Sequence, residues 1–262
     1  MYDMIQSNES EYYFQCEENN HFGIKKWRDG TKFSGYFNGN IVNGWGIFYN
    51  FDSEVFKGEF VNNQANGYGE YKHKNGSINV GFWENDIQID IGYEIMDNIC
   101  FYAGEFSDGK KNGIGKYQWP DGNKYEGEIK NNFFDGYGIY IYNDRRIFSG
   151  QWKQNHIDGY GEMVWPEGNK YYGFYKNDSK NGFGIYFSPK NKIYVGFWKD
   201  GRQEGFGKYF YDNKVFYGIW ENGKMKQKYA NEKDFYRDLD LELIKNSIFQ
   251  WNIDKLQNFL NI

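Results

Sequence analysis

Proline and cysteine are scarce in this sequence, whose 262 residues include three prolines and two cysteines. The cysteines, Cys16 and Cys100, lie far apart and lack the paired spacing of a disulfide framework or a zinc site. They are typical of a reducing compartment, so we expect a cytoplasmic protein. With so little proline and 22% aromatic residues, the chain also differs from proline- and glycine-rich disordered segments.

Long apolar runs are missing as well, and a mean hydropathy of −0.90 argues against a membrane-spanning helix. The net charge is −5, whereas nucleic-acid binding normally needs a basic stripe that neutralises several phosphates. The short basic clusters are dispersed among acidic residues, which weakens the case for an anionic membrane surface. We therefore expect no nucleic-acid partner.

Signatures of catalysis are also missing. No Gly-Lys-Ser or Gly-Lys-Thr follows a glycine loop, and no Gly-x-Gly opens a helix as a dinucleotide site requires. The three histidines are isolated from one another: His21, His73 and His156. Acidic residues recur beside glycines, and we interpret them as solvated charges on one face of a sheet: Glu59, Glu105 and Glu128. The sequence predicts no catalytic residue, no cofactor and no metal site.

Glycine is abundant, at 33 residues, and recurs with a period of 23. The repeat can be counted from nine start positions: Phe33, Phe56, Asn79, Tyr102, Tyr125, Phe148, Tyr171, Tyr194 and Phe216. Glycine stands two residues after every start: Gly35, Gly58, Gly81, Gly104, Gly127, Gly150, Gly173, Gly196 and Gly218. An aromatic residue stands four after each start except at Ile129: Phe37, Phe60, Trp83, Phe106, Trp152, Tyr175, Trp198 and Trp220.

The second half of each unit carries Gly-x-Gly with a large apolar residue in the middle, as in Gly136-Tyr137-Gly138. One unit is weaker, because Asp90 replaces its first glycine, and a degenerate unit at His21-Phe22-Gly23 precedes the first start. Self-similarity at one fixed period identifies a tandem repeat protein.

This repeat resembles the MORN (membrane occupation and recognition nexus) repeat, in which Tyr-x-Gly-x-Trp is followed by about six polar residues and then Gly-x-Gly. The resemblance covers about residues 21–229. It implies a repeat-only family member without an enzyme domain, similar to proteins of ciliary radial-spoke heads and other cytoskeletal structures.

The residues themselves predict an all-β fold. Each unit has two short runs with period-two alternation, and the residues between them are typical of turns, as at Asn131-Asn132 and Pro120-Asp121-Gly122. Each unit is therefore a predicted β-hairpin, and about nine hairpins should join into one elongated, single-layer antiparallel sheet. At about 4.8 Å per strand, nine units would span on the order of 90 Å.

The pairing of glycine with aromatic residues also has a structural interpretation. Positions 0, +2 and +4 of a strand share one face, as Phe148, Gly150 and Trp152 do. A glycine beside a ring leaves bare backbone on which the ring can lie. We expect every repeated glycine to make room for a ring, and this ring-lined face to be partly exposed.

The turns between units show a second rhythm of 46 residues. It is carried by Gly30, Gly76, Gly122 and Gly168, and by Trp27, His73, Trp119 and Trp165. The matching residues of the other units are Ser53, Ile99, Arg145 and Asn191. Two kinds of turn should therefore alternate along one sheet edge. Four strands per 46 residues also describe a β-propeller blade, and that alternative fold stays open here.

The regular pattern ends after Gly223, and the C-terminal residues have a helical pattern. Asn231 and Asp234 are typical of an N-cap pair. Apolar residues recur at helical spacing: Phe235, Leu239, Leu243, Ile253, Leu256 and Leu260. We predict three regions: an N-terminal extension or degenerate repeat at 1–20, the repeat array at 21–229, and a helical tail at 230–262. The tail either caps the last hairpin or docks a partner.

We expect a non-enzymatic scaffold that joins other proteins of a large cytoskeletal assembly, with a ciliary axoneme as the favoured case. A phospholipid-binding module or membrane-skeleton protein is the alternative, and a homodimer is left open. The candidate partner-binding residues are tryptophans of the ring-lined face and the turns, with apolar residues of the tail: Trp83, Trp152, Trp198, Trp220, Trp119, Trp165, Leu239, Leu243, Ile253, Leu256 and Leu260. The competing interpretation is that the tryptophans only cover neighbouring glycines.

Overall fold

The computed structural model describes residues 3–6, 10–14, 20–96 and 100–245. Within these ranges the chain forms 21 strands and one helix, and it divides into two compact units between Phe133 and Phe134. The described residues are nearly all β, which confirms the predicted fold class of antiparallel tandem hairpins followed by a C-terminal helix. No helix in these ranges is long and apolar enough to cross a membrane.

The first unit holds twelve strands in its described residues. They are β1 (Asp3–Gln6), β2 (Ser10–Phe14), β3 (His21–Trp27), β4 (Lys32–Asn38), β5 (Ile41–Tyr49), β6 (Val55–Val61), β7 (Gln64–Lys72), β8 (Ile78–Glu84), β9 (Ile87–Met96), β10 (Cys100–Ser107), β11 (Lys110–Gln118) and β12 (Lys124–Lys130). Each strand pairs antiparallel with the next one in sequence, so the unit is an open single-layer meander. A β-propeller would break this pairing into four-stranded blades, so that alternative is wrong.

The second unit repeats this arrangement in the residues that follow Phe133. Its strands are β13 (Phe133–Ile141), β14 (Ile147–Lys153), β15 (His156–Val164), β16 (Lys170–Lys176), β17 (Ser179–Ser188), β18 (Lys192–Lys199), β19 (Arg202–Tyr211), β20 (Lys214–Glu221) and β21 (Lys224–Lys228). They too pair consecutively and antiparallel. Helix α1 (Glu232–Lys245) follows the last strand.

Glycines of neighbouring strands face one another in the middle of each sheet. Gly46, for example, is the pairing partner of both Gly35 and Gly58. A Cβ atom placed on Gly46 would overlap the ring of Phe33, and one on Gly69 would overlap another start-position ring. The predicted role of these glycines, which is to leave space for rings, is therefore confirmed.

The first glycine of each Gly-x-Gly has a positive φ. The expectation that it makes room for a ring is wrong at Gly67, whereas a Cβ at Gly44, Gly182 or Gly205 would meet an aromatic side chain. Gly67 has φ +108°, and a Cβ there would meet the side chain of Glu59 instead of a ring. The register of β6 and β7 shifts between Gly58 and Phe60, so the second strand carries extra residues at this point. The glycine supplies the left-handed backbone of a β-bulge.

The turns within hairpins have two residues, and in most of them both have positive φ, as a type I′ turn requires. Asn131 and Asn132 have φ values of 51° and 71°, which confirms the turn predicted from their sequence. Asparagine, aspartate and glycine dominate these positions because they tolerate the left-handed region best.

The described turns between hairpins differ in residue type, as predicted, and the two kinds share one backbone shape at Trp119 and Tyr142. Trp119 N–H donates to Asn123 O, and Gly122 N–H donates to Trp119 O. Tyr142 and Arg145 make the same two hydrogen bonds in a turn without glycine. Arg145 has φ 72°, close to the 94° of Gly122. The residue types alternate, whereas the backbone shape is shared.

Helix α1 begins with the predicted cap. Asn231 Oδ1 accepts a hydrogen bond from Asp234 N–H at 2.9 Å, and Asn231 Nδ2 donates to the Asp234 carboxylate at 2.8 Å. Leu239 is half-buried in this helix, and Leu243 lies in its last turn. The remaining tail residues of interest lie outside the described residues: Ile253, Leu256 and Leu260. The boundaries predicted for the three regions stay a prediction.

Candidate interaction surface

The ring-lined face, which we call the core face, is closed by edge-to-face aromatic contacts. In the first unit the Phe33 ring meets Phe37 at 5.1 Å and Phe60 at 5.2 Å, with interplanar angles of 88° and 84°. Phe56 continues the chain of contacts to Phe60 and to Trp83. Perpendicular rings at this spacing are favourable because the edge of one ring lies on the face of the next. The rings replace the missing second layer of the core.

The second unit has the same chain of rings. Its successive contacts have centroid distances of 5.0–5.4 Å and join Trp152, Phe148, Tyr175, Tyr171, Trp198, Tyr194 and Trp220. The start-position tyrosines bond to backbone carbonyls; Tyr171 Oη donates to Phe174 O and Tyr194 Oη donates to Phe197 O, both at 3.1 Å. Burial raises the pKa of both phenols, so they stay neutral donors.

The expected exposure of this face is wrong for three of the four predicted contact tryptophans. Trp152, Trp198 and Trp220 are 6–7% exposed. Trp83 is half-buried, and its indole N–H donates to Gly69 O at 3.2 Å. Trp152 donates in the same way to Gly138 O. Their burial supports the competing interpretation that they cover glycine backbone, and partner binding through them stays a prediction.

The turn tryptophans, Trp119 and Trp165, are both half-buried. Trp119 stacks on Tyr117, with ring centroids 5.2 Å apart. Trp165 belongs to a box of four rings that surrounds the Lys180 ammonium: Trp165, Tyr171, Tyr186 and Trp198. Each ring centroid lies 4.7–4.9 Å from Nζ, within cation–π range. Burial lowers the pKa of Lys180 to about 8.

The opposite face, which we call the outer face, holds the most exposed apolar side chains of the sheet. The middle residue of Gly-x-Gly lies there, and it is 52% exposed at Tyr68 and 54% at Tyr137. Tyr68 pairs across the strands with Phe82, which is 48% exposed, and the two rings meet edge to face at 5.7 Å. Other exposed large apolar residues on the outer face of the first unit are Tyr36, Trp45, Ile91 and Ile114.

Polar residues of the outer face that lie beside the β-bulges have a structural role. Glu105 Oε1 accepts a hydrogen bond from Ile114 N–H at 3.0 Å, which holds the bulge next to Gly113. Gln151 Oε1 accepts one from Tyr160 N–H at 2.8 Å in the same way. Glu105 therefore combines an exposed carboxylate with a backbone contact that the sequence pattern did not predict.

Helix α1 packs on the outer face of the second unit, at its last hairpin. The ring of Phe235 contacts Phe206 at 5.8 Å, Tyr217 at 5.3 Å and Tyr229 at 5.5 Å. Phe235 is 2% exposed, which makes it one of the most buried side chains of the described chain. Lys208 hydrogen-bonds Tyr236 beside this contact.

The outer-face residues were not among the predicted binding residues, although a signal was available. The middle of every Gly-x-Gly is large and apolar, from Trp45 to Phe206. A purely solvated face would carry polar residues there. The box around Lys180 had no comparable signal, because its four rings come from different strands and turns.

Comparison with protein families agrees with the geometry of the hairpins. The MORN repeat model matches six segments of the sequence, residues 56–78, 102–124, 125–145, 148–170, 171–192 and 194–214. The chain belongs to the MORN repeat family. No curated protein sequence matches this chain.

The solved structures that align with this MORN protein share little sequence with it. The TCP10 domain of Danio rerio CPAP, in complex with a peptide of STIL, aligns over 84% of this chain and 99% of that domain. Its TM-score is 0.50 and its sequence identity 10%, so the likeness concerns the fold alone. The SAS-4 (dCPAP) TCP domain of Drosophila melanogaster, bound to a proline-rich motif of Ana2, aligns over 61% of this chain with a TM-score of 0.38 and 12% identity.

Proposed function

We propose that this chain is a non-enzymatic scaffold that binds segments of partner proteins on the outer faces of its repeat units. The observation that carries the proposal is the distribution of apolar surface over the two faces. The core face is closed by its own rings, whereas Tyr68 and Phe82 of the outer face remain about half exposed. Contiguous exposed apolar surface of this kind marks interaction sites in folded proteins.

The proposed partners are other proteins of a cytoskeletal assembly, with a ciliary axoneme of the radial-spoke type as the specific case. The array of MORN repeats supports this assignment by its resemblance to cytoskeletal MORN proteins. The peptide bound to the TCP10 domain of CPAP supports the use of such a sheet for binding protein segments.

The test is quantitative affinity purification from ciliated cells with the tagged full chain. The Tyr68→Ser/Phe82→Ser variant removes two outer-face rings that do not contribute to the core face. We expect it to lose the partners of the wild-type chain, and to lose its place in the detergent-resistant axonemal fraction. Phe51→Ser is the matched control, because Phe51 is 67% exposed in a turn.

Equal partner recovery by the double variant and the wild-type chain would contradict the proposal, provided that both melt at the same temperature. Salt-sensitive sedimentation with phosphoinositide vesicles, unaffected by the double variant, would instead support the membrane alternative. For the scaffold, we expect negligible vesicle binding at about 0.1 M salt, where exposed charges are already well screened.

A further inference from the structure

We propose that the outer face of the first unit docks a basic segment of a partner protein, in which arginine or lysine side chains flank apolar ones. The inference rests on the proposed scaffold function and names the chemistry of the docked segment. It starts from a row of outer-face residues that crosses neighbouring strands.

One residue from each of the consecutive strands β5 to β11 belongs to this row, which we call the docking row. Its members are Trp45, Glu59, Tyr68, Phe82, Ile91, Glu105 and Ile114. The pairing register places Trp45 opposite Glu59, and it places Ile91 opposite Glu105. The apolar members are 48–70% exposed, so each carboxylate lies beside exposed apolar surface.

The carboxylates of the docking row carry a charge that the fold does not need. Glu105 Oε1 accepts the hydrogen bond from Ile114 N–H that holds the bulge. Gln151 Oε1 accepts the equivalent hydrogen bond in the second unit with an uncharged amide. Glu59 lies in the same way beside the bulge at Gly67. The bulge therefore requires a side-chain acceptor at this position, and the negative charge remains available to a partner.

These charges are not neutralised by basic side chains of the chain itself. Next to the docking row, Lys57 Nζ lies 3.7 Å from the carboxylate of its cross-strand partner Glu70, so these two charges offset each other. In the part of the chain that the structure describes, no basic side chain forms an ion pair with Glu59 or Glu105. Both glutamates are exposed. The docking row is therefore an apolar surface with a net negative charge.

A surface of this composition is complementary to a segment that supplies apolar side chains and positive charge together. Opposite charges across an interface steer the encounter and fix the register of the partners. Arginine suits the position of Glu59 especially well, because a guanidinium binds a carboxylate through two N–H groups and stacks on an aromatic face such as that of Trp45. The same carboxylates repel the phosphates of nucleic acids and anionic lipids. The charge therefore favours a basic protein segment as the occupant.

The distance between the two carboxylates sets the spacing of the basic residues. Glu59 lies on β6 and Glu105 on β10, so they are separated by four strand spacings, or about 19 Å. Six residues of an extended segment span about 20 Å and return to the same side. Fourteen residues of an α-helix span about 21 Å and return to nearly the same side. Basic residues at either spacing reach both carboxylates, with apolar side chains between them over Tyr68 and Phe82.

The experiment measures binding of labelled synthetic peptides to the full chain by fluorescence anisotropy. The two probes are an extended peptide and a stapled helix, each with two arginines at the matching spacing and phenylalanines between them on the same side. One control peptide for each probe has glutamates in place of the arginines, and a second has serines in place of the phenylalanines. We expect at least one probe to bind at least about tenfold more tightly than both of its controls, and more weakly as the salt concentration rises.

Removal of the charges provides the second readout. The Glu59→Gln/Glu105→Gln variant keeps an acceptor at each bulge, as Gln151 does naturally, and should weaken binding of the probe by about fivefold. The matched control is Glu167→Gln/Asp212→Asn, which removes the same charge from two exposed turn residues of the second unit. It should leave the affinity unchanged.

Three results would each overturn the proposal: equal affinity for the arginine and glutamate peptides, no binding of either probe at about 1 mM, or equal affinity of the wild-type chain and Glu59→Gln/Glu105→Gln. The peptide comparison uses the wild-type chain, so it decides the matter even if the glutamine variant fails to fold. The scaffold proposal is tested separately by the Tyr68→Ser/Phe82→Ser variant. Loss of partners by that variant together with a negative peptide result would refute only the basic segment.

Discussion

Asn132 and Lys111 exchange two hydrogen bonds between neighbouring hairpins. Asn132 N–H donates to Lys111 O at 2.9 Å, and Lys111 N–H donates to Asn132 Oδ1 at 2.9 Å. The second residue of the type I′ turn thus binds the start of the preceding hairpin's second strand. The same exchange joins Asp178 to Ile157 in the second unit. The turns therefore stabilise the stacking of repeats as well as their own hairpins.

Asn132→Gly should lower the free energy of unfolding by about 1 kcal/mol, because it removes the side-chain hydrogen bond while keeping a residue suited to φ 71°. Gly109 occupies the equivalent position and donates only its backbone N–H, to Gln88 O at 3.0 Å. Gly109→Asn should therefore raise stability by a similar amount. Urea denaturation measures both changes, and equal midpoints for both variants and the wild-type chain would contradict the proposed role of the side chain.

Tyr175→Phe should stabilise the chain. The Tyr175 hydroxyl is buried without a hydrogen-bond partner among the described residues, while the ring itself belongs to the core-face chain. Removal of an unsatisfied buried hydroxyl should gain about 1 kcal/mol, since its desolvation is not compensated.

Tyr171→Phe is the matched control for this substitution. The Tyr171 hydroxyl donates to Phe174 O at 3.1 Å, so its removal leaves that carbonyl without this bond. We expect a loss of about 1 kcal/mol in the free energy of unfolding. Thermal unfolding should move in opposite directions for the two variants, and a shift of the same sign in both would refute the distinction.

The 23-residue period was enough to predict the hairpins and the paired glycines, and the residue types at Asn231 and Asp234 were enough to predict the helix cap. These features depend on residues a few positions apart, and each residue type has a direct backbone or packing reason. Asn131-Asn132 requires a left-handed turn, and Gly46 requires space for a ring. Local chemistry of this kind can be read without knowledge of distant contacts.

The period-two alternation of side chains could not show which face of the sheet is exposed. Alternation divides the side chains between two faces, but it does not show which face is buried by its own ring contacts. Both faces carry rings, and the bulge at Gly67 changes the count of residues between Ala65 and Tyr68. Closure of the core face depends on perpendicular ring contacts between neighbouring hairpins. The Lys180 box likewise depends on strand register, which brings Trp165 and Trp198 to one side chain.

Arg145→Gly should stabilise the second unit. Arg145 occupies the turn position with φ 72°, where its equivalents Gly122 and Gly168 have φ values of 94° and 88°. A side chain in the left-handed region costs about 1 kcal/mol relative to glycine. The reverse change, Gly168→Ala, should cost a similar amount. Chemical denaturation tests the pair, and destabilisation by Arg145→Gly would show that the arginine side chain contributes more than its backbone strain.

Lys180→Met provides a test of pH dependence. The four surrounding rings favour the charged ammonium, whereas burial disfavours it and lowers the pKa of Lys180 to about 8. Between about pH 8 and the ordinary lysine pKa of 10.5, the unfolded chain binds more protons at this residue than the folded chain. Folding stability therefore rises with pH in this window.

The comparison between wild type and Lys180→Met isolates this contribution, because other titrating groups affect both chains alike. From pH 7 to pH 10, the wild-type chain should gain about 2 kcal/mol in the free energy of unfolding relative to the variant. Denaturation across the pH series measures the difference. A constant difference would mean that Lys180 titrates equally in the folded and unfolded chains. A relative loss of stability by the wild type would mean that the rings hold the ammonium more strongly than burial opposes it.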